Sequence, residues 1–376
     1  MSDNNNQDAD FKPLRILHSE AAIGWGGQEQ YIHRMMLAMR ERGHHLEAVC
    51  QPHGRLIGKL RDEGFTVHPV KMGGAANYLP AVARVRGILR KGRFDVLNTH
   101  SRRDTMIAGV AGRVAGTPLI VRTRHLAKRP GSLLSYTIVP HRVITASDFV
   151  RNMLIERGVP AAYVATVYPA VNLPPLTGRS TLREELNLSP DDIVVGCVAV
   201  MRGAKGHKEL VAAMAPLIGE RPDVHLVLVG SGSPTFERVK AQIQTLGIEH
   251  RVHMLGMRDD VPNLLEGFDL FALATRMEAS GTVFVEAGAA GLPVVGTRVD
   301  GVPEMMREGV NGILVPLDDV PALTDALRRL IEDPDLRRRM GAAGIEFCRD
   351  SGHFSLQAMV RRTETAYRRW LQERTK

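Results

Sequence analysis

The chain has 376 residues, 44% of them hydrophobic and 24% charged, a length that favours two domains of about 150 to 200 residues and a composition that excludes a collagen-like or largely disordered protein. No apolar run approaches the roughly 20 residues of a membrane span, and Cys50, Cys197 and Cys348 cannot pair completely, so a cytoplasmic protein without a disulfide framework or structural zinc is expected. The net charge of +8 is lopsided: residues 1–170 hold 24 Lys and Arg against 13 Asp and Glu, and residues 171–376 hold 25 against 28. The basic half is either a solvated surface or a face for an anionic partner, a phosphorylated substrate or a membrane. Nucleic acid is the least supported partner, because aromatics are only 5% of the chain and no stacking or zinc-finger pattern accompanies the charge.

Residues 1–13 read as a flexible N-terminal tail, polar and acidic at its start and without signal-peptide regions. Short apolar runs then alternate with amphipathic stretches, the pattern of a parallel α/β sheet. Strands are expected at 14–18, 46–50, 67–70, 96–99, 119–122 and 142–146, with helices at 28–42, 56–63, 79–91 and 105–115. Met35, Met36 and Met39 recur at helical spacing and read as core filling. The pattern pauses at Tyr168-Pro169 and Pro174-Pro175, which marks 171–178 as a linker. It resumes with strands at 193–200, 224–229, 252–255, 270–274, 294–296 and 312–315, and helices at 209–218, 236–246, 283–290 and 320–331. A last helical stretch at 354–373, within the C-terminal segment 351–376, bears Tyr367 and Trp370. The expected architecture is α/β: two nucleotide-fold-like domains, 14–170 and 179–350, facing one cleft.

Ligands of open α/β sheets bind beyond the carboxyl ends of the strands, so the segments that follow strands carry the chemistry. In Gly24-Trp25-Gly26-Gly27-Gln28-Glu29 the glycines would let backbone N–H groups approach an oxyanion at a helix start. Glu29 breaks the GxGxxG pattern, and the segment equally reads as an ordinary turn. Arg202, Lys205 and Lys208 surround Gly203 and Gly206 after the first strand of the second domain, a cation set suited to a diphosphate. Gly230-Ser231-Gly232-Ser233 could support the same anion. The most specific segment runs from Glu278 through Ser280, Gly281 and Thr282 to Glu286. The apolar residues around Glu286 should bury it, and a buried carboxylate needs partners such as vicinal sugar hydroxyls. Gly281 and Thr282 would supply helix-terminal amides to a phosphate.

Glu278-x7-Glu286, followed by Ala289-Ala290-Gly291-Leu292-Pro293-Val294-Val295, Gly301-Val302-Pro303-Glu304 and Asn311-Gly312-Ile313-Leu314-Val315-Pro316, resembles the retaining glycosyltransferases of family 4. Gly26-Gly27-Gln28-Glu29 and Arg202 with Lys205-Gly206 are similar to that family's first loop and basic pair. The resemblance implies a GT-B fold: two Rossmann-like domains with parallel sheets facing a central cleft, the first for the acceptor and the second for a nucleotide sugar. It also implies a final helix that crosses back to the first domain.

By the same resemblance Arg202 and Lys205 would hold the diphosphate, Glu286 the ribose, and Glu278, as a catalytic residue, the sugar hydroxyls. Ser280, Gly281, Thr282 and Val283 would line the sugar and phosphates, and Gly256 and Met257 would border the base. His125 would stand near the reacting sugar as a second catalytic residue, with His100 a weaker candidate beside Gly26, Gly27 and Gln28 in an acceptor or phosphate loop. Many members space the basic pair as R-x4-K, which leaves Lys208 as an alternative to Lys205. Pro169-Ala170-Val171-Asn172 replaces the usual Asn-Gly-Val-Asp. Glu278-Ala279-Ser280-Gly281 replaces EGFG, a change that bears on sugar selectivity.

Asp8-Ala9-Asp10 and Asp333-Pro334-Asp335 are DxD-type triplets far from any strand-end loop, so neither is expected to bind metal. Arg202, Lys205 and helix amides would stabilise a departing diphosphate instead, with no cofactor beyond the nucleotide sugar, UDP by default. The expected activity is transfer to a glycan or lipid-linked acceptor in bacterial envelope polysaccharide or lipopolysaccharide synthesis, at the inner face of the cytoplasmic membrane. Arg84, Arg86, Arg90, Lys91 and Arg93 are the cations expected to favour anionic vesicles, which cosedimentation would read. The alternatives are another GT-B activity, a nucleotide-sugar epimerase or phosphorylase, and a nucleotide-sugar-binding protein without catalysis.

Overall fold

The computed structural model describes residues 12–375. Residues 1–11 of the expected tail, Asp8 and Asp10 among them, lie outside the described residues. The chain divides into two compact units: one takes the chain up to Ala170 and again from Leu356, and the other is Val171–Ser355.

The first unit is built on seven strands, β1 (Arg15–Glu20), β2 (His45–Cys50), β3 (Thr66–Pro69), β4 (Val96–Thr99), β5 (Leu119–Arg124), β6 (Arg142–Thr145) and β7 (Val164–Thr166). They pair in parallel in the order β3-β2-β1-β4-β5-β6-β7. Every residue of β4 and of β5 is buried, as helices on both faces of a parallel sheet require. Some features depart from the sequence expectation, β1 among them, which runs on through Ser19 and Glu20. The edge strand β7 has only three residues, too few to show a period. Strand β5 continues past 122 through Thr123 and Arg124, where charge conceals burial.

The second unit carries β8 (Ile193–Val198), β9 (Val224–Val229), β10 (Val252–Gly256), β11 (Leu270–Leu273), β12 (Val294–Thr297) and β13 (Gly312–Val315). These are also all parallel, in the order β10-β9-β8-β11-β12-β13. Both sheets reverse direction beside their first strand, between β1 and β4 and between β8 and β11. Loops diverge there at the carboxyl ends, which leaves a crevice for a ligand.

The helix Leu356–Thr375 packs in the first unit. Tyr367 and Trp370 are fully buried against Ile16, Met35, Met36 and Met39, and the Tyr367 hydroxyl accepts from Asn98 Nδ2 at 2.7 Å. Large aromatics bury the most apolar area per residue, so these two anchor the helix, while Arg42 and Glu364 close it at the rim at 2.9 Å. Among the described residues no helix is long and apolar enough to cross a membrane.

Candidate active site

In the second unit the loop after β8 carries the basic segment. Gly203–Lys205 form one tight turn, Gly206 adopts a left-handed φ of 67°, and the helix His207–Glu220 begins. The segment after β11 lies directly against this turn: Arg276 N donates to Ala204 O at 2.8 Å, and Thr275 Oγ1 donates to the same carbonyl at 3.0 Å. The switch point therefore brings Lys205 to Glu278, 73 residues later, and Lys205 Nζ donates to Glu278 Oε2. Side-chain exposures of 25% and 17% leave this pair half-buried and reachable. Arg202 and Lys208 are exposed, and of the two candidate lysines it is Lys205 that touches Glu278.

Glu278 is held from a direction the sequence does not announce. Its amide donates to Asp300 Oδ2 at 3.0 Å and its carbonyl accepts from Gly301 N at 3.0 Å. Asp300 has a positive φ of 47°, and burial first, then the Glu278 charge, push its carboxyl above the usual range. Sequence reasoning missed Asp300 because a lone Asp before a glycine resembles any turn. Gly281, at φ 72°, precedes the helix Thr282–Ala289. Ser280 is buried, and Thr282 and Val283 are half-buried at the helix start. Glu286 is half-buried rather than fully buried: the flanking Val285 and Ala287 face the core while the helix turns Glu286 away from it. Gly256 closes β10 and its carbonyl accepts from Gly230 N at 2.7 Å, whereas Met257 is 76% exposed. Asp333 accepts from Leu336 N at 2.8 Å and caps a helix, and Asp335 pairs with Arg338, so this triplet's carboxylates are engaged in local structure.

In the first unit two amides of the glycine loop are already engaged. Gly26 N donates to the Glu29 carboxylate at 2.7 Å, and Gln28 Nε2 donates to Glu20 Oε2. Glu29 thus takes up the N–H that a nucleotide-binding loop would offer to phosphate. Glu20, at the end of β1, is held above the usual carboxyl range by burial and then by the charge of Asp104.

Behind this loop three imidazoles form a chain. His18 Nδ1 lies 3.0 Å from His100 Nε2, and His100 Nδ1 lies 3.1 Å from His125 Nε2. The rings stack with centroids 5.3 and 5.4 Å apart, and Tyr31 meets His125 edge to face. Burial pushes His18 down to about 4 and His125 to about 3, the latter helped by Arg122, and holds His100 well below its usual value. Each neutral ring has one N–H, so the three protons must all point the same way. His18 Nε2 is buried without a partner, and a bare nitrogen there costs less than a buried orphan N–H. The favoured direction runs His18 to His100 to His125, which puts the His125 proton on Nδ1 and makes that atom a donor. Sequence reasoning reached His100 and His125 but not His18, an internal strand residue without a local signal. Because the shifts are downward, the ring-proton resonances of all three should stay flat as pH falls from 8 to 5 in NMR titration; a midpoint near 6.5 for any one of them would contradict the chain.

Residues 178–347 match the family model described as Glycosyl transferases group 1, and residues 25–174 match that described as Glycosyltransferase Family 4. Over 302 residues the chain is 30% identical to the N-acetyl-alpha-D-glucosaminyl L-malate synthase of Bacillus anthracis, covering 77% of this chain and 78% of that protein. It is 26% identical over 266 residues to the UDP-Gal:alpha-D-GlcNAc-diphosphoundecaprenol alpha-1,3-galactosyltransferase of Escherichia coli, covering 65% and 68%. The structure of Anabaena HepE in complex with UDP and glucose matches with a TM-score of 0.81 at 23% identity, over 94% of this chain and 99% of that one. That likeness is one of fold.

Proposed function

Because this chain belongs to the family 4, group 1 glycosyltransferases, we propose that it transfers a sugar from a nucleotide sugar to a glycan or lipid-linked acceptor, with retained configuration and without a metal. The observation that carries this reading is the Lys205–Glu278 contact at the β8/β11 switch point, a cation suited to phosphate beside a carboxylate suited to sugar hydroxyls. As the bond from the anomeric carbon to the diphosphate breaks, its electron pair passes to a phosphate oxygen. Arg202, Lys205 and the amides opening the helix Thr282–Ala289 stabilise that charge by preorganised electrostatics. Glu278 exchanges its bond to Lys205 for the donor's hydroxyls, and the acceptor's proton passes to the departing diphosphate. Glu286 accepts from the ribose, and His125 Nδ1–H is the donor that the first unit offers to the acceptor.

The name of the Escherichia coli relative and the ligands of Anabaena HepE support UDP as the nucleotide and the cell envelope as the setting. The exposed Arg84, Arg90, Lys91 and Arg93 support work at an anionic membrane surface. UDP-, GDP- and ADP-sugars screened by thermal shift should single out one nucleotide, since a ligand at a hundredfold excess over Kd stabilises the native state by about 2.7 kcal/mol. Transfer from that donor should proceed at an unchanged rate in EDTA and yield a product with the donor's anomeric configuration by NMR. An inverted product, or activity lost in EDTA and restored by Mg2+ or Mn2+, would overturn the proposal.

A further inference from the structure

Strand β5 ends Arg122-Thr123-Arg124, and residues two apart on a strand share a face. The two guanidiniums accordingly flank one ring, at 3.9 and 5.2 Å from the centroid of Tyr136. Arg122 is 5% exposed and Arg124 6%. Their hydrogen bonds go to neutral acceptors: Arg122 Nη1 to Ser135 O at 3.1 Å and to Ser135 Oγ, Arg124 Nη1 to the Tyr136 hydroxyl and Arg124 Nη2 to Lys128 O. The Nε atoms of both are buried without a partner. Asp104 is the carboxylate whose charge reaches Arg122, but it accepts from the His100 and Ser101 amides at 2.8 and 2.7 Å, and neither arginine forms an ion pair among the described residues.

Two buried cations without a counter-ion are costly, and here they open onto space. A cavity of about 220 Å³ is lined by Arg102, Arg122, Arg124, Lys128 and Arg129, with no Asp or Glu on its wall. Arg102, Lys128 and Arg129 are exposed at its rim, while the buried pair forms its floor. A single anionic group in that cavity, lined by both arginines, would supply the missing counter-charge.

We infer that this cavity receives an anionic group, a phosphate monoester or a carboxylate, carried by the acceptor. The inference rests on the transferase reading and narrows its acceptor to an acidic molecule. A phosphate could also come from the donor, so the test separates the two sources.

The full chain is titrated with sodium phosphate and with sodium malonate against sodium chloride at constant ionic strength, by calorimetry and thermal shift, with and without saturating UDP. One or both of phosphate and malonate should bind and stabilise where chloride does not, at unchanged affinity when UDP is present. Lys128→Ala, a rim change that leaves packing intact, and Arg124→Gln should each weaken that binding at least tenfold. Arg124→Gln is read only if it unfolds cooperatively in the thermal scan; Lys128→Ala carries the test in either case. Failure of both anions to bind, affinity unchanged in Lys128→Ala, or displacement of the anion by UDP would overturn the inference, the last by assigning the cavity to the donor's phosphates. A protein that binds phosphate in this way yet transfers no sugar would sink the transferase reading and leave the anion site standing.

Discussion

Glu278→Gln is expected to lower transfer about 10²- to 10³-fold while nucleotide affinity stays near that of the wild type. The substitution keeps the shape of the side chain and the backbone bonds that place it, Glu278 N to Asp300 and Gly301 N to Glu278 O. It removes the negative charge, and with it a strong acceptor for sugar hydroxyls. It also releases Lys205 from its ion pair with Glu278, so phosphate binding has one competitor fewer. The effect should therefore fall on kcat, with UDP binding by calorimetry preserved or tighter. Equal turnover by the variant would remove Glu278 from the reaction. Lys205→Ala should show the opposite split, weakened UDP binding ahead of any change in the chemical step.

Gly206→Ala is expected to destabilise the second unit by on the order of 3 kcal/mol. The position has a φ of +67°, and a Cβ there would sit 1.7 Å from the carbonyl oxygen of Ala274. That oxygen is backbone and has no rotamer to yield, so the strand end and the turn must separate. The segment beyond Ala274 carries Glu278, and the variant should lose UDP affinity along with stability. Gly203→Ala is the internal control: nothing lies within 4 Å of its added Cβ, and a surface change of that kind stays within about 0.5 kcal/mol. Urea midpoints measured for both decide the matter. Equal stabilities would show that the close approach of the two backbones does not constrain the turn.

The acidic and basic segments of the second unit were legible because the residues that define them lie close together in the sequence. Lys205 and Gly206 belong to a turn whose shape a few adjacent residues dictate, and Gly281 begins a helix only a few residues from Glu278. Strands such as β8 and β9 were equally plain, since a strand buried on both faces needs an unbroken apolar run. The same rule hid the end of β5, where Arg122 and Arg124 are buried despite their charge.

Local pattern determined the α/β alternation, the break near 171–178, the amphipathic last helix, and the residue types at the strand ends. Tertiary structure alone decided the strand order, and with it every pairing at the switch points: Lys205 with Glu278, and His18 with His100 across 82 residues. It also decided that Asp300 would hold the Glu278 amide and that Tyr367 and Trp370 would seat the last helix in the first unit. The reason is physical. Apolar periodicity records that a residue is buried but not against what, whereas hydrogen bonds, ion pairs and pKa shifts depend on which distant segment the packed sheet sets alongside.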